Sequence, residues 1–280
     1  MASNSVKELY FHVGLGKTAS TYLQYRFFPF LKGISYIQRT KYRNFQKHIE
    51  AANAERIFIS NEFDRQLEKE CKRFAAVYPE AKTIIILRRQ DSWIASQYRR
   101  SVKNGASLSF EDYLDLDSNS GEWKIEDLYF FDKLKFLEKT FNSTPLALFH
   151  DDLKKDPKAF FDAIAKFTGS TYDIQDIDLN PKHKSYSEKQ LKFIRKVGKT
   201  LFAFKSSYSS NYYIRKVQRF FKMLVRYSVL FIGKILPEKY IEEGPLIEPE
   251  LLSKVKDFYA EDWEKCRKYA KESGLTKLTG

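Results

Sequence analysis

The chain has 280 residues, enough for one large α/β domain or for one domain with an appended helical part. Hydrophobic residues at 43% and aromatics at 16% exclude a disordered protein, and no window approaches the ~18 continuous apolar residues of a membrane span. The net charge of +13 is local: residues 181–240 hold 15 Lys/Arg against only Glu188 and Glu238, while the remaining 34 basic and 34 acidic residues cancel.

Cys71 and Cys266 lie far apart without CxxC spacing, which argues against a disulfide framework or a zinc site. The leader MASNSVKE holds no apolar stretch, so no secretory leader is expected and a reducing, cytoplasmic compartment is the default reading.

In chain order, Leu9-Tyr10-Phe11-His12-Val13 reads as a buried strand. A polar turn over 14–21 follows, then a helix from Tyr22 that should bend or stop at Pro29 and Gly33. Residues 34–38 suit a short strand, 41–54 a polar helix and 56–60 a second buried strand, with Asn61 and Glu62 just past its end. Ligands of open α/β sheets collect at the carboxyl ends of strands, so Glu62 lies where chemistry is expected.

An amphipathic helix is predicted over 64–78, ended by Pro79. Thr83-Ile84-Ile85-Ile86-Leu87 is the strongest strand signal, a β-branched run of the kind found in parallel sheets covered on both faces. Helices are predicted over 92–103, 110–114 and 127–141, a strand over 146–149, and a helix over 157–168 between Pro157 and Gly169. This alternation implies an α/β class with a parallel, doubly covered sheet. From about residue 170 the chain reads as long helices and loops, with no further strong strand.

The stretch LYFHVGLGKTASTYLQ, residues 9–24, combines strand, glycine-containing turn, one Lys, several hydroxyls and a helix start. That is the recipe for a phosphate cradle, because backbone N–H groups converge there and Lys adds a point charge. The Walker form places four residues between its first glycine and Gly-Lys-Thr. Here Leu15 alone separates Gly14 from Gly16-Lys17-Thr18, so the ATP/GTP version does not match.

Lys17-Thr18-Ala19-Ser20-Thr21 instead resembles the 5′-phosphosulfate loop of sulfotransferases that use 3′-phosphoadenosine 5′-phosphosulfate (PAPS), whose form is close to Lys-(Ser/Thr)-Gly-Thr-Thr. Arg88, ending the third strong strand, and Ser96, eight residues later, match the family's Arg and Ser for the 3′-phosphate; LRRQDSWIAS is similar to Leu-Arg-Asn-Pro-x-(Asp/Glu)-x-x-x-Ser. FHDDLKKDPKAFFDAIAKFTG is similar to the family's Tyr-Glu-Asp-Leu-x-x-(Asp)-Pro segment and the helix ending Phe-x-Gly. Ala19 departs from the pattern by replacing a glycine, which removes easy access to φ > 0, and Arg89-Gln90 replaces Asn-Pro.

The resemblance implies a three-layer, P-loop-like fold and transfer of a sulfuryl group from PAPS to an acceptor hydroxyl, without a metal, leaving 3′-phosphoadenosine 5′-phosphate (PAP). Residues 1–170 would form the PAPS-binding core and 171–280 a helical C-terminal part of the same domain, shaping the acceptor site and contacting surfaces. Gly16, Lys17, Thr18, Ala19, Ser20 and Thr21 would hold the 5′-phosphate, with Lys17 also neutralising charge on the departing oxygen. Arg88 and Ser96 would bind the 3′-phosphate, and Lys182 and Lys184 in the 180–185 loop would cover it. Families of this type use a Glu or a His as base at a strand end, and Glu62 is the candidate. His48 is the competing histidine; His12 lies inside the first strand, and His150 stands where the family usually has Tyr.

The basic segment has two readings. Over Tyr213 to Leu236, Arg215, Arg219, Lys222 and Arg226 share a sector of roughly 60° at ~100° per residue, while Ile214, Val217, Phe221, Leu224 and Phe231 mostly take the other side. The plain reading is a core-facing helix with a solvated basic face; the sharper one is peripheral contact with an anionic membrane surface. The acceptor class stays open between a sterol or other lipid, a small metabolite and a glycan. A nucleotide-dependent kinase of the same architecture, or a non-catalytic basic membrane- or nucleic-acid-binding protein, leaves the Lys17, Arg88 and Ser96 pattern unused, and a nucleic-acid partner is disfavoured.

Overall fold

The computed structural model describes residues 7–180, 186–201, 209–241 and 243–275. In chain order the first elements are β1 (Glu8–His12), α1 (Ser20–Arg26), β2 (Ser35–Ile37), α2 (Phe45–Glu50), β3 (Arg56–Ser60), α3 (Leu67–Ala75) and β4 (Lys82–Leu87). They are followed by α4 (Gln90–Lys103), α5 (Phe110–Tyr113), α6 (Phe130–Phe141), β5 (Leu146–Phe149), α7 (His150–Lys155) and α8 (Pro157–Thr168). The tail holds α9 (Glu188–Leu201), α10 (Tyr212–Ile235), α11 (Pro249–Phe258) and α12 (Ala260–Glu272).

The chain divides into two compact units that interleave along the sequence: Met1–Gln90, Asp127–Asn180 and Tyr259–Gly280 form the first, Asp91–Glu126 and Pro181–Phe258 the second. The expected parts 1–170 and 171–280 follow chain order, whereas these units do not, because α12 returns to the first. Its anchor is Asp262, whose carboxylate accepts from Phe130 N at 2.9 Å, Phe131 N at 3.1 Å and the Gln90 amide at 2.6 Å.

In the first unit five parallel strands lie in the order β2-β3-β1-β4-β5. Strand side chains alternate between faces. Tyr10, Phe58, Ile84, Ile86, Leu146 and Leu148 therefore point one way, into a buried cluster with Leu23 of α1, Phe27 just after it, and Phe160, Phe161 and Ile164 of α8. Phe11 points the other way and stacks on Phe74 of α3 at 4.2 Å, with Tyr42 at 5.7 Å and Phe141 of α6 at 6.3 Å. A sheet apolar on both faces needs helices on both, and this is the expected three-layer α/β architecture.

Several helices differ in extent from expectation. α1 stops at Arg26 and the chain tightens into a 3₁₀ turn over Phe28–Phe30, since Pro29 has no N–H with which to continue an α-helix. The predicted helix over 41–54 is a 3₁₀ turn, Arg39–Asn44, leading into the short α2. α4 begins two residues early, at Gln90, which is buried and donates to Asp262. α8 follows the capping rules as expected: Asp156 accepts from Ala159 N at 2.9 Å, Pro157 opens the first turn and Gly169 closes it at φ 61°.

The second unit packs Trp93 of α4 edge-on against Trp123 at 5.0 Å, and Tyr98 against Phe110 and Tyr113. α10 docks on α9 near its own C-terminus. There Val229, Leu230 and Gly233 are buried, the Gln190 amide donates to Leu230 O at 3.0 Å, and a Cβ on Gly233 would stand 3.0 Å from the Phe193 ring. The plain reading of this helix is corrected here. Ile214, Val217, Phe221, Leu224 and Phe231 do not face a core; each is exposed, from 49% at Leu224 to 62% at Phe231. The side of α10 in line with its docked residues is the one that carries Arg215, Lys222 and Arg226, so the apolar side is left outward. No described helix is long and apolar enough to cross a membrane.

Candidate active site

β1 lies mid-sheet with β3 on one side and β4 on the other, so the connections from β1 and from β3 diverge around its carboxyl end. Such switch points leave a crevice in open α/β sheets. Three segments emerge there: the loop 13–19 after β1, Asn61 and Glu62 after β3, and Arg88 after β4. Backbone bonds hold them level, with Val13 N donating to Ile84 O at 3.0 Å, Asn61 N to His12 O at 3.0 Å and Phe63 N to Gly14 O at 2.9 Å.

The loop is braced from within. Thr18 Oγ1 donates to Leu15 O at 2.7 Å and Ser20 Oγ to the same carbonyl at 3.1 Å, and both residues are buried. Thr18 and Ser20 thus use their hydroxyls on the loop itself, while Lys17 and Thr21 stand exposed. Gly16 N donates to Asp64 Oδ1 at 2.9 Å, a partner that the sequence reading did not single out although it sits two residues beyond Glu62.

Lys17 and Ala19 both adopt left-handed backbone, at φ 69° and 67°. This costs an L-residue roughly 1–2 kcal/mol. The other described non-glycine residues at positive φ are Asn119 and Asn142, of a type that tolerates the region. The loop therefore concentrates strain at two side chains with no local means of relieving it. Ala19 takes the conformation that its lack of glycine freedom opposes.

Gly14 is required by close approach: a Cβ there would lie 2.5 Å from His12 Nε2 and 3.0 Å from Ser20 Oγ. His12 is fully buried, and burial pushes its imidazole down to about 3, so it is neutral at physiological pH. Its Nδ1 lies 2.8 Å from Ser60 Oγ, which also accepts from the Gln24 amide at 3.0 Å. His12 is a post beneath the loop.

Glu62 is half-buried. Its Oε1 accepts from Thr21 Oγ1 at 3.4 Å and from Arg39 Nη1 at 3.3 Å. The carboxylate opens into a hollow of ≈ 500 Å³ that is also lined by Arg39, Arg43, Arg73 and Tyr42. Arg73 is held by Glu70 at 2.8 Å and lies over the Tyr42 and Phe45 rings, each at 5.2 Å. Arg43 is exposed and has no ion-pair partner among the described residues. Sequence reasoning missed these arginines; the four-residue spacing of Arg39 and Arg43 was the available signal. His48 sits on α2 and does not line the hollow.

Arg88 is half-buried at the tip of β4, and its Nη1 donates to Lys17 O at 3.2 Å. Beside it, burial and then the Arg88 and Lys154 charges push His150 down to about 4. The cation at this corner is Arg88, not the histidine. Lys17, Arg88, Thr21 and Glu62 are thus brought to one end of the sheet. Ser96 belongs to the second unit, half-buried and nearly two turns into α4 because that helix starts early. Lys182 and Lys184 lie outside the described residues.

No protein-family model matches the sequence, and no curated protein matches it. Among solved structures, the sulfotransferase from Alicyclobacillus acidocaldarius is similar with a TM-score of 0.51 at 14% identity, over 69% of this chain and 92% of its own. Mouse sulfotransferase SULT7A1 complexed with PAP aligns over 94% of this chain and 89% of its own at 14% identity, with a TM-score of 0.39. With its parallel five-stranded sheet, helices on both faces and a loop-bearing central strand, the chain has the sulfotransferase fold.

Proposed function

We propose that this protein is a PAPS-dependent sulfotransferase. The observation that carries the reading is the meeting of Lys17, on a strained loop, with Arg88 at the tip of the neighbouring strand, across from Glu62. An exposed Lys and a half-buried Arg on adjacent strand ends suit a ligand with two separate phosphate groups. The loop offers backbone N–H groups and the Thr21 hydroxyl for the 5′-phosphate, while Thr18 and Ser20 keep its shape. Arg88 would take the 3′-phosphate. PAPS supplies the activated sulfuryl group.

The chain's own work is positioning and charge. Glu62, paired with Arg39, takes the proton of the acceptor hydroxyl as that oxygen bonds to sulfur. Lys17 steadies the electron pair left on the phosphate oxygen when its bond to sulfur breaks. Loss of a donor of this kind costs about 10²–10³ in turnover. The acceptor would enter the hollow beside Glu62, where Arg39, Arg43 and Arg73 favour a molecule with an acidic group near its hydroxyl.

Transfer of labelled sulfur from PAPS to a panel of hydroxylated acceptors tests the reading. Transfer by the wild type, abolished in Lys17→Ala, is expected. No transfer to any acceptor together with no affinity for PAP would contradict it.

A further inference from the structure

α10 carries a surface that the proposed reaction does not use. From Asn211 to Ser228 no residue of the segment is buried; the buried residues of the helix, Val229, Leu230 and Gly233, lie in its last turns, where the Gln190 amide of α9 donates to Leu230 O. Tyr213, Ile214, Val217, Phe220, Phe221 and Phe231 are all more than half exposed. At ~100° per residue these six fall on one side of the helix. A contiguous outward apolar face of this size marks an interaction site.

Charge decides the occupant. The helix holds Arg215, Lys216, Arg219, Lys222, Arg226 and Lys234 and not one acidic residue. Lys216 and Lys234 border the apolar face, while Arg215, Arg219, Lys222 and Arg226 lie on the opposite, docked side, so no charge interrupts it. A second copy of this chain, docked through the same face, would bring Lys216 and Lys234 toward their own images with nothing on the helix to offset them. An anionic lipid surface complements both properties at once, taking the aromatic and aliphatic side chains below the headgroups while the long basic side chains reach up to them. Not apolar enough to span, the helix would lie in the interface plane.

We infer that α10 is a peripheral membrane-binding helix that seats the second unit on anionic lipid, with Phe220 and Phe221 entering the acyl boundary and Lys216 and Lys234 contacting headgroups. The inference does not depend on the reaction assigned to the first unit.

The test is co-sedimentation of the full chain with phosphatidylcholine vesicles, with and without phosphatidylserine, alongside analytical ultracentrifugation of the protein alone. Two double variants are compared: Phe220→Ser with Phe221→Ser, and Lys216→Glu with Lys234→Glu. All four side chains are exposed or outward, and circular dichroism checks that both variants stay folded. The expected result is binding to the phosphatidylserine vesicles at least about tenfold above the neutral ones, falling with salt, on the order of fivefold weaker for each cation removed, and lost in the phenylalanine pair. Absence of vesicle binding overturns the inference. So does equal binding to neutral vesicles, or a concentration-dependent dimer that the phenylalanine changes dissolve.

Discussion

Arg88 Nη1 donates to the backbone carbonyl of Lys17 at 3.2 Å, tying the tip of β4 to the loop that follows β1. Residues 71 positions apart thereby share one corner, and the arginine fixes the loop as well as lending charge. Arg88→Ala is expected to weaken PAP binding by about 10- to 100-fold, the 1.5–3 kcal/mol of a charge-assisted hydrogen bond. Arg88→Lys should recover only part of this, because an ammonium cannot reproduce the guanidinium fork. Titration calorimetry with PAP measures both. Undiminished affinity in Arg88→Ala would remove this residue from the site.

The loop's strain makes a second prediction. Ala19→Gly relieves a left-handed conformation worth roughly 1–2 kcal/mol but adds unfolded-state freedom worth about 0.4–1 kcal/mol. Stability should therefore hold or rise by up to about 1.6 kcal/mol in urea denaturation. Gly14→Ala should do the reverse, losing about 1–3 kcal/mol, since its methyl group meets the buried His12 ring at 2.5 Å. A stabilising Gly14→Ala would mean that the loop does not press on His12 as described.

Of the arginines around Glu62, Arg39 is paired with Glu62 itself and Arg73 with Glu70, leaving Arg43 for a ligand. Arg43→Ala should raise the KM of an acidic acceptor about tenfold with kcat nearly unchanged, and leave a neutral acceptor unaffected. Equal effects on both acceptors would show that Arg43 does not read the acceptor's charge.

Two histidines set an acid limit. His12 and His150 titrate near 3 and 4 in the folded chain, against about 6.5 unfolded, because both are buried and Arg88 and Lys154 also oppose protonation of His150. Below about pH 6.5 the unfolded chain binds protons that the folded chain refuses, so stability is fully present above that pH and falls as pH drops. The loss is about 1.4 kcal/mol per pH unit for each histidine, or about 2 kcal/mol each between neutral pH and about pH 5. His12→Gln should flatten the curve by its share, whatever its effect at neutral pH. An unchanged slope in that variant would place His12 in contact with solvent.

Much of the first unit was legible because its signals are local. The run Thr83–Leu87 could only be a doubly covered strand, and the strand, turn and Lys of residues 9–21 announced a phosphate loop before any partner was known. Pro157 and Gly169 wrote the ends of α8 in capping chemistry, to which the structure adds the Asp156 cap. What resisted prediction was set by tertiary partners. The early start of α4 depends on Gln90 meeting Asp262, a residue 172 positions away that no pattern links to it. The hydroxyls of Thr18 and Ser20 looked like ligands, yet the Leu15 carbonyl lies within their reach and takes them. Periodicity identified the two sides of α10 correctly but could not say which side meets protein, because that is set by tertiary contacts such as those of Leu230 and Gly233 with α9.

The central claim is that the corner built by Lys17 and Arg88 accepts an adenosine nucleotide with phosphates at both the 3′ and 5′ positions. Thermal denaturation of the wild type with PAP and with ATP at equal concentration tests it most directly. At about 100 times the dissociation constant PAP should stabilise the fold by about 2.7 kcal/mol, a rise of several degrees in Tm, and ATP should add little. Stabilisation by ATP with none by PAP would contradict the account.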